Sequence, residues 1–321
     1  MKKILTLVLA LALLAVPFCA VAEWEWEDDI EITCTFGPGS GTDTTLRALM
    51  PQVAKYLGVN IIISNVAGAS GVTGALAFAQ LPADGYNYAM YTPSHAIAAQ
   101  KQIHGDLELP FDMLNDTEPV IRLVQDSNVI YTDPKLPFSD FEGMVAYAKE
   151  HPGELTMALQ SVTGIDAVSA QDLFDKAGID VTIVASDGSE AYAMVIGSHA
   201  SMTLGSPADG AEYYASGMLN AVVVLSENRS SAMPEVPCSV ELGYDATIGP
   251  WRGMVAMKGT PEEAMDAFCE AVAHVMATDT AWNEWKEANG LNDREGYAER
   301  DDFKVIWKDY NEAINELIYG E

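Results

Sequence analysis

This sequence predicts an α/β protein of two lobes, and three observations predict it. Strand-like and helix-like segments alternate through the first hundred residues, the pattern of a parallel sheet with right-handed crossovers. The same alternation starts again near Glu154, with different loops. No low-complexity linker lies between, so a pair of strands should cross between the lobes, near residues 122–128 and 222–228. The C-terminal part then returns to the first lobe. One lobe is expected to hold residues 23–125 plus 225–321, and the other residues 126–224.

Residues 1–22 stand apart. Lys2 and Lys3, an apolar run from Ile4 to Phe18 and the Ala20-Val21-Ala22 end have the layout of a cleaved secretory signal. The bulky Phe18 argues against Cys19 as a lipid anchor. A periplasmic location is expected. The 321-residue chain has 17 Lys and Arg against 47 Asp and Glu, a formal charge of −30. That balance excludes nucleic acid and anionic membranes as partners through general electrostatics. It repels an anionic ligand only at long range, because salt screens beyond about 8 Å. A local anion site therefore remains open. Cys34, Cys238 and Cys269 follow the signal, an odd number that leaves at least one thiol unpaired. No Cys/His spacing suits a metal, and no metal or cofactor is expected.

"IEITCTF" (30–36) alternates as a strand does. After the loop "GPGSGT", Leu46, Leu49, Met50, Val53 and Leu57 mark one face of a helix. Thr42 or Asp43 should cap it, Pro51 should kink it, and Gly58 should end it. "VNIIIS" (59–64) is the next strand, "NVAGASGVTG" (65–74) a second glycine-rich loop before a helix, and "YNYAMYT" (86–92) a third strand. In the second lobe, strands at 154–160, 181–185, 200–205 and 219–226 each run into Ser, Thr, Asp or Gly. A strand at 254–257 and helices at 261–277, 280–288 and 301–318 close the chain.

Ligands of parallel sheets sit beyond the carboxyl ends of the strands, where both glycine-rich loops fall. A helix N-terminus offers unpaired N–H groups and about half a positive charge, so it holds an anion without a cationic side chain. Neither loop carries Lys or Arg, and Arg47 is one turn into the helix. Gly41-Thr42-Asp43 lacks the lysine of a P-loop, which argues against a nucleotide and for a carboxylate. Such loops also occur for packing alone. A hydrolase would need a strained nucleophile turn, and no G-x-S-x-G is present around Ser40 or Ser70. No enzyme is expected.

Six blocks, in order, resemble the substrate-binding proteins of tripartite tricarboxylate transporters, the Bug receptors. They are "FGPGSGTDTTLRALMPQVAKYLG", "NVAGASGVTGALAFAQLPADGYNYAM", "LPFDMLNDTEPVIRLV", "HPGELTMALQSVTG", "MPEVPCSVELGY" and "WRGMVAMKGTPEEAMDAF". The resemblance implies a type II periplasmic-binding fold that closes on a small carboxylate, a monomer, and membrane transporter subunits as partners. It implies ligand contacts at Phe36, Ser40, Gly41, Thr42 and Asp43, at Ala69, Ser70 and Gly71, at Thr92 and Ser94, and at Ser161 and Thr163. Asp43 reads equally as a helix cap, and His95 as structural. A sensory or ABC-type receptor of the same fold is the alternative. The chain departs from the family's P-Y-x-G at Ala185-Ser186-Asp187-Gly188. Ser186 and Asp187 there would face the ligand, and a carboxylate at 187 would favour a ligand bearing an amine. The other reading makes Asp187 a solvent-facing cap.

Overall fold

The computed structural model describes residues 24–186 and 190–320. The expected signal segment and Asp187 lie outside the described residues. Among those residues, two five-stranded sheets form, each covered by helices. The first has the order β2-β1-β3-β10-β4, with β1 Ile30–Cys34, β2 Ile61–Asn65, β3 Asn87–Tyr91, β4 Thr117–Gln125 and β10 Trp251–Met257. The second has the order β7-β6-β8-β5-β9, with β5 Asn128–Thr132, β6 Thr156–Leu159, β7 Thr182–Ala185, β8 Met202–Gly205 and β9 Asn220–Leu225. The two-lobed α/β architecture is as expected. The sheets, however, are mixed rather than parallel. β10 runs antiparallel to β3 and β4, and β5 antiparallel to β8 and β9. These are the two strands that enter from the other lobe, so their direction is set by the crossing and not by a βαβ turn.

Helix α1 (Gly41–Leu57) shows how pattern becomes packing. Leu46, Leu49, Met50 and Val53 are at most 1% exposed and pack on Ile30, Ile32, Phe268 and Val272. Each such side chain contributes roughly 1.5–3 kcal/mol of burial. The helix runs unbroken through Pro51, which sits on its exposed face and forfeits one backbone bond there. Its cap is Ser40 rather than Thr42 or Asp43: the Ser40 Oγ accepts from Asp43 N at 3.2 Å. Gly58 ends it in the left-handed conformation, as expected.

The first crossing lies at residues 126 and 127, between β4 and β5. The second comes later than the expected 222–228. Met233, Val236 and Cys238 pack with Tyr131 and Val224 of the second sheet, and Ala246 joins Phe141 and Phe174 there. The chain returns at Gly249 and Pro250. The crossings touch where Asp126 N–H donates to Pro250 O at 2.8 Å. Buried Arg294 ties both, donating to Asp126 O (3.1 Å), Thr247 O (2.9 Å) and the Glu227 carboxylate (2.9 Å). Cys34, Cys238 and Cys269 are all free thiols.

Candidate functional site

The strands of both sheets end on one cleft of about 740 Å3, a size that suits a small organic molecule. Three first-lobe loops form one wall. Residues 36–42 carry the start of α1, with Phe36, Ser40, Gly41 and Thr42 lining the cleft. The loop before α2 (Val72–Phe78) holds Gly68, Ala69, Ser70 and Gly71 at φ 140°, 47°, 54° and 99°. Two of the four have a Cβ and are held in the left-handed region, a strain that concentrates at ligand clamps. Thr92 and Ser94 start α3 (Pro93–Ile103) and complete this wall.

His95 supports the three loops from behind. Its ring is fully buried, stacks on Tyr91 at 4.0 Å, and accepts Thr92 N–H at Nδ1 (3.0 Å). That bond assigns the remaining proton to Nε2. A Cβ on Gly71 would stand 2.7 Å from the ring, so only glycine lets the second loop lie on it. Burial lowers the His95 pKa to about 4, against partial support of the charged form by the Thr92 and Gly71 backbone. The ring is a neutral strut at physiological pH.

Asp43 does not reach the cleft. It is 3% exposed and accepts from Gly39 N–H, Arg47 Nε and Asn65 Nδ2, each at 2.9 Å. Asn65 also donates to Phe36 O at 3.0 Å, so this network locks the first loop to β2. Burial raises the Asp43 pKa, but the Arg47, Gly39 and Asn65 hydrogen bonds outweigh it and the net shift is down. Ala69 is exposed and does not line the cleft. Thr163 is exposed and lines a separate surface pocket with Val162, Leu317 and Ile318. Ser186 follows β7 and does not line the cleft, its Oγ buried without a hydrogen-bond partner.

The second lobe supplies the facing wall. Ser161 and Gly164 precede α5 (Ile165–Ala177), where Asp166 lies in the first turn. Tyr192 comes from α6 (Glu190–Ile196), and Ser206 and Asp209 from the start of α7 (Pro207–Ala215). Asp126 and Asn128 enter from the first crossing, Trp251 and Arg252 from the second. Sequence reasoning missed most of these. It sought a cation near the glycine-rich loops, and β10 brings one from 211 positions beyond Gly41. Arg252 Nη2 lies 2.5 Å from where a Gly41 Cβ would be. The signal was "WRG", a lone arginine opening a strand.

Arg252 pairs with the Asp126 carboxylate, both mostly buried. Burial pushes the Asp126 pKa up, and Arg252 works against that. Asp166 accepts from Asn128 Nδ2 at 3.1 Å, and Asp209 from the Ser206 hydroxyl at 2.8 Å. Among the described residues, Arg252 is the single Lys or Arg lining the cleft, against the three aspartates Asp126, Asp166 and Asp209. The first wall thus offers helix N-termini and hydroxyls, and the second offers helix N-termini that carry carboxylates in their first turn. No group of His, Cys, Asp and Glu among the described residues could hold a metal ion.

The chain matches the Tripartite tricarboxylate transporter family receptor over residues 45–312. It is 31% identical over 226 residues to Protein BugT of Bordetella pertussis, covering 70% of this chain and 68% of that one. Its fold is similar to a TctC solute binding protein from Polaromonas (TM-score 0.76, 24% identity, 92% of this chain and 99% of that one). It is also similar to MatC from Rhodopseudomonas palustris with bound malate (TM-score 0.74, 21% identity, 91% and 99%). This chain belongs to the tripartite tricarboxylate transporter receptor family.

Proposed function

We propose that this member of the family is a periplasmic receptor, not a catalyst, that closes on one small carboxylate. It would deliver that ligand to the membrane subunits of a tripartite tricarboxylate-type transporter. The observation that carries the reading is the meeting of two helix N-termini, the strained Gly68–Gly71 loop and Arg252 on one wall of one cleft. Each helix end favours a nearby anion by up to about 1 kcal/mol where exposed, and more where partly buried. Arg252, shared with Asp126, adds a positive charge beside Gly41. Ser40, Thr42, Ser70, Thr92 and Ser94 surround the same space with hydroxyl or backbone donors.

Closure follows from the position of the second wall. Ser161, Tyr192 and Ser206 belong to the other lobe, and a ligand that touches both walls favours the closed arrangement over any open one. The chain passes between the lobes at 126–127 and 249–250, and Ile165 and Val168 of the second lobe pack on the first-lobe core. Asp43 acts here as a brace for the first loop and not as a ligand contact.

A thermal-shift screen on ligand-stripped protein tests the reading. The panel holds citrate, C4 to C6 dicarboxylates, amino acids and aromatic acids. A ligand at 100 times its Kd adds about 2.7 kcal/mol. At least one carboxylate should raise Tm by several degrees. No response from any carboxylate, with the protein folded, would overturn the proposal.

A further inference from the structure

The second wall has the wrong sign for a plain dicarboxylate. Arg252 is already matched by Asp126, which leaves Asp166 and Asp209 without a cationic side chain among the described lining residues. They are held in place and not loosely splayed: Asn128 binds Asp166, and Ser206 binds Asp209. Burial raises the Asp166 pKa, and the charges of Asp126 and Asp209 raise it further. That mutual repulsion is relieved by a cation or a proton and is increased by a second ligand carboxylate. One further polar group on this wall is unsatisfied: the Tyr192 hydroxyl has no hydrogen-bond partner, and Tyr192 lines the cleft.

We propose that the ligand is an ammonium-bearing carboxylate, and that Asp166 and Asp209, flanked by Tyr192 and Asn128, receive its ammonium group. The inference rests on the carboxylate-receptor reading and specifies its ligand class. The carboxylate sits at the helix N-termini and Arg252; the amine faces α5 and α7. A zwitterion then places its ammonium beside the full charges of Asp166 and Asp209, which exceed the roughly half positive charge of each helix N-terminus that carries them. A dicarboxylate would place its second anionic group beside two carboxylates. Ammonium held by carboxylates is a strong, charge-assisted pairing.

Calorimetric titration with matched pairs tests this. Each pair differs only in the amine: aspartate and succinate, glutamate and glutarate, leucine and 4-methylpentanoate. Putrescine serves as an amine without a carboxylate. The ammonium-bearing member of at least one pair should bind about tenfold or more tightly than its partner. Asp166→Asn should cut that ratio by about tenfold by weakening the amino acid selectively. Asp209→Asn, at an exposed position whose change should not disturb folding, should act in the same direction. Succinate or glutarate binding as well as its amino counterpart, with a ratio untouched by either variant, would overturn the inference and leave the receptor reading standing. Binding of putrescine alone, or of nothing in the panel, would overturn both.

Discussion

Lowering the pH from 7 to 5 should remove a stabilising contribution made by His95. The ring is fully buried, and its pKa is about 4 in the folded state against about 6.5 in an unfolded chain. The unfolded state therefore binds a proton that the folded state refuses. The stability that the neutral ring contributes is complete above pH 6.5 and is lost as the pH falls toward 4. The full difference of 2.5 units corresponds to about 3 kcal/mol, of which about 2 kcal/mol falls between pH 7 and 5. Buried carboxyls raised by their surroundings, Asp126 and Asp166, contribute with the opposite sign, so the wild-type curve alone does not isolate the ring. His95→Gln does isolate it. Glutamine three residues after Thr92 can accept the Thr92 N–H in the same way and has no proton to take up. Urea unfolding of both proteins at pH 7 and 5 should show the variant losing about 2 kcal/mol less than the wild type. Equal losses would refute the account of His95 as a neutral strut.

Three other outcomes follow from the same contacts. Arg252→Gln leaves the buried Asp126 carboxylate unpaired and should cost about 2–4 kcal/mol. Adding Asp126→Asn should return most of that stability in denaturant titrations. Arg294→Ala cuts the bonds that join both crossings and should lower stability by about 2–4 kcal/mol, read by the shift of the urea midpoint. Asp43→Asn should lower Tm by a few degrees at pH 7. Because the Asp43 pKa is depressed, its contribution is present above about pH 4 and lost as the pH falls further, so the variant and wild type should converge at low pH.

The first wall was legible because its parts are local. Glycine-rich loops between a strand and a helix place their own N–H groups, and Phe36, Ser40, Gly41, Thr42, Ser70, Gly71, Thr92 and Ser94 all line the cleft. Asp43 turned inward because Arg47, one helical turn on, and Asn65 both bind it, and only the second of these partners is distant. Thr163 and Ala69 are exposed and miss the cleft although neighbours in the same loops, Ser161 and Gly164 and Gly68 and Ser70, line it. The second wall was illegible for a different reason. Asp126 and Arg252 meet across 126 positions through the antiparallel pairing of β4 with β10, and no local pattern marks that register. The same long pairing hid the mixed character of the sheets. The late second crossing escaped because residues 226–246, with four Ser and two Pro, look like a free connection yet bury Met233, Val236 and Cys238.

The central claim is that one carboxylate is held at the first wall by helix ends and Arg252. Calorimetric titration of the best thermal-shift ligand into the wild type, Asp126→Asn and Arg252→Gln/Asp126→Asn tests it most directly, because the two variants differ only in the cation and neither leaves the Asp126 carboxylate unpaired. The account predicts one site per chain in the wild type and binding at least tenfold weaker in the double variant than in Asp126→Asn. Equal affinity in the two variants would contradict it.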